Sequence, residues 1–226
     1  MAFKSRIVYL SQDMNPGKLK KLEDLQVVCR DYVQLCVDKM VSDKRMNVLP
    51  SERRLYFPKS SLSSHQAKTA QWQAISIVYA WVQGRYFQKL RKYIIDLKED
   101  ERISDETSVQ LYSVGKYTLT KETTFKNGHR ISPEAVSLYW SWVWDPEIGG
   151  KPPHVGMNLP IWCEQDTCNW SQAKTAKSPG WWIRVSTLES GRRTWFPLAP
   201  HPKMKEMGRG SGFNRGVHIR KINGRW

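Results

Sequence analysis

The stretch "SSLSSHQAKTAQWQAISIVYAWVQGRYFQKLRKYIIDLK", residues 60–98, constrains the fold more than any other part of the chain. No proline interrupts it, serines at its start supply an N-terminal cap, and Lys98 closes it with a basic last turn, so the spacing predicts one long helix. One apolar stripe runs through Trp72, Ile75, Tyr79, Val82, Tyr86, Leu90, Tyr93 and Leu97. A second carries Ala67, Ala70, Ala74, Ile77 and Trp81. Two stripes cannot both face water, so this helix is expected to pack on two sides and to organise whatever surrounds it. Between the stripes, Arg85, Lys89 and Lys92 fall at i, i+4 and i+7 and share a face. A solvated basic face and a phosphate-contacting face are both compatible with that spacing.

The residues before it follow the same grammar. From Lys18, the residues Leu22, Leu25, Cys29, Tyr32, Cys36 and Met40 recur at helical intervals, which predicts a helix with one buried stripe. Asn15-Pro16-Gly17 punctuates the chain ahead of it, after a short imperfect strand in "FKSRIVYL". Pro50 and Pro58 bracket a loop, and "KEDERISDETS" reads as an exposed mixed-charge connector.

Beyond that connector the pattern changes to strands. In "SLYWSWVW", Leu138, Trp140, Trp142 and Trp144 alternate with Ser137, Tyr139, Ser141 and Val143, as a strand would. "PGWWIRVSTLESGRRTWFPL" reads as a hairpin: Trp181, Ile183, Val185 and Thr187 alternate, Ser190-Gly191 turns, and Thr194, Phe196 and Leu198 return. Pro197 marks an edge or a strand end. The terminal "GVHIRKINGRW" alternates again and turns at Asn223-Gly224, leaving only Arg225-Trp226 as a second strand. A two-residue strand is too short to bury anything of its own. Nine of the eleven tryptophans lie in this second half, where each is either core or an exposed stacking surface.

Composition matters for the choice of partner. With 36 Lys+Arg against 21 Asp+Glu, the net charge of +15 favours a polyanion, nucleic acid or an anionic surface, over neutral small molecules. From Arg184 to the end there are ten Lys/Arg and two Glu. No segment approaches the roughly 20 apolar residues of a spanning helix, and "MAFKSRIVYLSQ" lacks a signal-peptide core, so a cytoplasmic protein without a membrane partner is expected. Cys29 and Cys36, seven apart, are expected in a helix core. Cys163 and Cys168 form a C-x4-C pair, read as reduced thiols, with a zinc site shared with His154 and His201 as the alternative.

Chemical motifs are absent. There is no phosphate-binding Gly-Lys loop, dinucleotide fingerprint, H-E-x-x-H or G-x-S-x-G sequence. Asp145 and Glu147 flank a proline and read as turn residues, not a metal-binding pair. No catalytic residue, metal ligand or cofactor is assigned. Binding is the expected activity.

Four stretches carry a resemblance. "FKSRIVYLSQDMNPGKLKKLEDLQVVCRDYVQLCVDKM", "LSSHQAKTAQWQAISIVYAWVQGRYF", "GWWIRVSTLESGRRTWFPLAPHP" and "VHIRKINGRW" resemble, in order, the opening strand and first helix, the second helix, the wedge hairpin and the last wedge strands of the TnpB nucleases and related type V CRISPR effectors. The resemblance covers most of the chain. It implies an α+β fold: a small Trp-rich antiparallel β-barrel-like wedge domain with an inserted helical recognition lobe. Its divisions would be residues 1–16 for the first wedge strand, 17–130 for the helical lobe and 131–226 for an incomplete wedge.

The function so implied is that of a prokaryotic nucleic-acid-binding subunit of an RNA-guided effector. It would hold guide RNA and the guide–target heteroduplex and read a short flanking motif in target DNA. Nuclease activity would be absent or would belong, with its magnesium, to a second chain bearing a RuvC domain, which the short terminal hairpin would admit by strand addition. Ser64, Lys68 and Gln71, sharing a face near a helix start, would read the flanking motif. Arg85, Lys89 and Lys92 would follow heteroduplex phosphates. Arg184, Arg192, Arg193, Arg209, Arg215, Arg220 and Lys221 would hold the RNA scaffold, with Trp181 or Trp182 as a stacking platform. A stand-alone nucleic-acid-binding repressor and a Trp-rich carbohydrate-binding module are the rival readings.

Overall fold

The computed structural model describes residues 8–11, 14–46, 48–117, 132–145, 151–164, 166–172, 180–199, 217–222 and 224–226, with the side chains of 85–88, 113–117 and 172 outside the description. Among these residues the fold is α+β. Five helices are present: α1 (Pro16–Ser42), α2 (Arg53–Tyr56), α3 (Ser64–Glu99), α4 (Asp105–Tyr117) and α5 (Pro133–Trp144). The five strands are β1 (Ile161–Cys163), β2 (Cys168–Gln172), β3 (Trp181–Ser186), β4 (Arg193–Pro197) and β5 (Val217–Ile219). No described helix is long and apolar enough to cross a membrane.

The two long helices form where the periodicity places them. In α1 the stripe Leu22, Leu25, Cys29, Tyr32, Cys36 and Met40 is buried throughout. Burial pushes the Cys29 and Cys36 thiols up to about 12, so both stay protonated. α3 opens with a capping box. The Ser63 N–H donates to Gln66 Oε1 at 3.1 Å and the Gln66 N–H donates to Ser63 Oγ at 3.4 Å. Its buried face runs through Ala70, Ala74, Val78, Val82, Leu90, Ile94 and Leu97, midway between the two expected stripes, and Trp72 and Tyr79 are exposed instead. Both helices end on a residue in left-handed conformation, Lys44 (φ 52°) and Glu101 (φ 56°).

One expected strand is a helix. "SLYWSWVW" lies in α5, where Ala135, Tyr139, Trp142 and Val143 are the buried positions, at spacings of four, three and one. Ser132 caps it by accepting from the Ala135 N–H, Pro133 sits at the first turn and Glu134 adds an acidic residue there. That start signal outweighs the alternation of tryptophans. The expected connector also contains structure: Ser104 accepts from the Thr107 N–H at 3.1 Å and opens α4, whose first turn carries Asp105 and Glu106.

The chain divides into two interleaved compact units. One comprises Met1–Cys36, Ser51–Ala74 and His154–Trp226, and the other Val37–Pro50 and Ile75–Pro153. Each long helix contributes to both, and α5 belongs to the helical unit. In the helical unit α4 packs on α5. Tyr93 and Trp142 stack with centroids 6.0 Å apart, Trp81 approaches Trp144 at 6.0 Å, and the Trp140 and Trp144 rings lie nearly parallel at 6.5 Å.

The other unit carries the sheets. β2, β3 and β4 form an antiparallel sheet in that order, and β1 pairs antiparallel with β5. The predicted hairpin is present in register, with Ile183 opposite Phe196 and Val185 opposite Thr194, and its turn places Gly191 at φ 70°. Main-chain pairing continues past β4: Leu10 bridges Leu198, and the Leu10 N–H donates to the Trp226 carbonyl at 2.8 Å. Ile222 bridges Arg225 across the terminal turn, where Gly224 adopts φ 78°. No closed barrel exists among the described residues, since β1 and β2 do not pair.

These bridges correct the expectation for the terminal hairpin. Trp226 is 7% exposed, so its short second strand buries a large ring.

Candidate nucleic-acid interface

The β2–β3–β4 sheet has one buried and one outward face. Ile183, Val185 and Phe196 are buried and define the inner face. Alternation then places Trp182, Arg184 and Ser186 outward on β3, with Trp195 and Arg193 beside them on β4 and Asn169 and Ser171 on β2. Arg184 is paired directly with Trp195 and with Asn169. Its guanidinium carbon lies 5.6 Å from the centroid of the Trp195 ring. Lys18, from the first turn of α1, places its ammonium 5.3 Å from the centroid of Trp182. Cations over surface indoles such as these, Trp182 half-buried and Trp195 exposed, are worth about 0.5–1 kcal/mol each, little enough for an incoming anion to redirect them.

Arg184 stands out among these cations. Its Nε is buried and has no hydrogen-bond partner among the described residues. Arg193, by contrast, donates to the Asp166 carbonyl at 2.7 Å, and Lys221 reaches Glu23 Oε1 at 2.6 Å. That bond, together with the Lys221 charge and the Trp226 indole, holds the Glu23 carboxyl below its usual range. Lys21 likewise pairs with Glu189 at 2.6 Å and keeps that carboxylate low. Arg192 and Arg220 are exposed.

Four glutamines hold the surrounding frame. Gln26 donates to the Leu159 carbonyl at 3.0 Å, Gln73 to the Pro160 carbonyl at 2.7 Å and Gln66 to the Ser186 carbonyl at 2.8 Å, while Gln34 accepts from the Val155 N–H at 2.7 Å. The Val155 N–H and the Leu159 and Pro160 carbonyls are thereby satisfied by α1 and α3 in place of a strand partner. Gln66 ties the cap of α3 to the end of β3, which fixes the site's sheet against the helix.

The expected motif readers fare differently from one another. Ser64 is exposed at the start of α3. Lys68 lies 3.7 Å from Glu164 in a surface ion pair. Gln71 donates to the Tyr32 hydroxyl at 2.9 Å, and Tyr32 in turn donates to the Pro58 carbonyl, so its amide is engaged in the fold. Lys89 and Lys92 are exposed on α3 within the helical unit. The side chain of Arg85, and Glu147, His201, Arg209, Arg215 and Asn223 altogether, lie outside the described residues. Trp181 takes the inner side of β3 with Gln172 opposite, and Trp182 the outer side, the opposed orientation expected of adjacent strand residues.

Cys163 and Cys168 are buried neighbours. The Cys168 thiol, then burial, pushes the Cys163 thiol well up, and neither is in a disulfide. His154 is exposed.

Sequence reading missed Lys18 and Trp195 as site members. Nothing local marks Lys18, since its role comes from α1 crossing near β3. Trp195 was legible from the hairpin register once Arg184 was considered. A second outer-face aromatic pair, Trp162 and His218, lies on the β1–β5 ribbon. Comparison with protein-family models, with curated proteins and with solved structures finds no match for this chain.

Proposed function

We propose that the sheet-bearing unit binds nucleic acid, with unpaired bases stacking on Trp182 and Trp195 and the backbone phosphates taken by Lys18, Arg184 and Arg192. The observation that carries this reading is one outward sheet face bearing two tryptophans, each with a cation over it, one of these cations being Arg184, whose Nε has no partner among the described residues. As a base arrives, the cation moves from ring to phosphate, so stacking and charge neutralisation occur together. The net charge of +15 supplies the long-range attraction.

In its specific form the proposal is a subunit of an RNA-guided DNA-targeting effector. This chain holds guide RNA and heteroduplex, Lys89 and Lys92 follow phosphates from the helical unit, and another chain supplies any cleavage. That form rests on the resemblance of the four stretches quoted above.

Purification from a host carrying the native genomic neighbourhood, with and without ribonuclease, tests the proposal. One discrete structured RNA copurifying with a carboxylate-bearing nuclease chain supports the effector. The RNA alone supports a guided binder or repressor. Protein free of nucleic acid, with no salt-sensitive RNA affinity, overturns the reading. A carbohydrate module would bind sugar with little salt dependence.

A further inference from the structure

The β1–β5 ribbon carries a second flat aromatic surface, on a different sheet from the first. Trp162 and His218 are direct cross-strand partners. Their rings lie 4.9 Å apart between centroids and within 4° of parallel. Beneath them Ile161, Cys163 and Ile219 are buried, so the ribbon already has its core side. The outer pair adds nothing that burial requires: Trp162 is half-buried and His218 exposed.

Arg220 directly follows β5, two residues beyond His218; its charge acts on the His218 ring, and it too is exposed. Arg220 makes no hydrogen bond or ion pair among the described residues, whereas its neighbour Lys221 is held by Glu23. Partial burial, then the Arg220 charge, keeps the imidazole below its usual range. The ring is therefore a neutral planar surface at neutral pH, with a separate cation at its edge. A planar stack open at its exposed member, beside an uncommitted guanidinium, matches a nucleobase and its phosphate.

Resting on the nucleic-acid reading above, we infer that Trp162, His218 and Arg220 form a second, separate subsite that takes one unpaired purine, stacked as the third ring on His218 with its phosphate on Arg220. A purine is specified because its two fused rings cover more of the stack than a pyrimidine. The unit would then grip one strand at two points, which restricts its path without reading its sequence in detail.

The test measures affinity of the full chain for fluorescein-labelled fifteen-nucleotide oligo(A) and oligo(U) RNA by anisotropy at several salt concentrations. His218→Leu is expected to weaken oligo(A) binding about tenfold and oligo(U) less. Arg220→Gln, at an exposed position that folding does not need, is expected to lower the salt slope by about one phosphate. Salt-sensitive wild-type binding that both His218→Leu and Arg220→Gln leave unchanged would overturn the second subsite and leave the first intact. No salt-sensitive binding of either RNA by the wild type would overturn both. An 8-azidoadenosine-bearing oligo(A) gives an independent readout, with crosslinking expected within 217–221; crosslinks confined to β3 and β4 count against the subsite.

Discussion

Tryptophan is concentrated in α5 and in the β3–β4 hairpin, and its neighbours differ between the two. In α5, Trp140, Trp142 and Trp144 meet other rings: Tyr93, Tyr139 and Trp81. In the hairpin, Trp182 and Trp195 meet cations, Lys18 and Arg184, and Trp195 is 37% exposed. Rings among rings bury apolar area and hold a helix in place. Rings under half-buried cations at the sheet surface leave stacking surface and charge available to a ligand. The same residue type thus serves stability in one unit and, on our proposal, recognition in the other.

The strongest way to break this contrast is to truncate a ring in each place. Trp142→Ala should cost about 3–5 kcal/mol in urea unfolding, as expected for a large buried aromatic. Trp182→Ala and Trp195→Ala should instead each weaken single-stranded RNA binding about tenfold while leaving the unfolding midpoint nearly unchanged. If Trp182→Ala unfolds the protein and binding survives, the hairpin rings are core and the contrast fails.

Smaller effects sharpen it. Ser132→Ala removes the cap of α5 and should cost about 1 kcal/mol by thermal or urea melts, with no change in RNA affinity. Arg184→Gln should reduce the salt slope of RNA binding by about one and hardly alter stability. An unchanged slope would mean that Arg184 serves Trp195 alone.

The smallest expected effect is on pH. The folded His218 has a lowered pKa, so the unfolded chain takes up its proton first. Stability should therefore decline slightly as pH falls below about 6.5, and His218→Leu should flatten that segment. Glu23 is also lowered, and its contribution is present above about pH 4.5 and lost on further acidification. Because the Lys221–Glu23 pair is partly exposed, 0.3 M salt should reduce that acid segment.

Much of this was legible from local pattern. The stripe of α1, the capped start of α3 and the β3–β4 register all depend on short-range spacing, and the structure places them where the spacing does. The α5 segment was misread because Trp140, Trp142 and Trp144 alternate visibly. Only Trp142 of the three is fully buried, and the period that matters runs through Ala135, Tyr139 and Val143. Bulk drew attention where burial did not follow. Gln71 was assigned a reading role from its face on the helix, but its amide bonds Tyr32, thirty-nine residues away.

By itself the sequence determined the α+β class, the two long helices, the central hairpin and the basic excess, because periodicity, caps and charge are properties of neighbours along the chain. Tertiary structure decided the rest. It placed Lys18 over Trp182 and Leu10 against Trp226, and it committed Lys221 to Glu23 while leaving Arg220 exposed. Which cation remains available for a ligand depends on which carboxylates and carbonyls the fold brings within about 3 Å, and no local pattern encodes that distance.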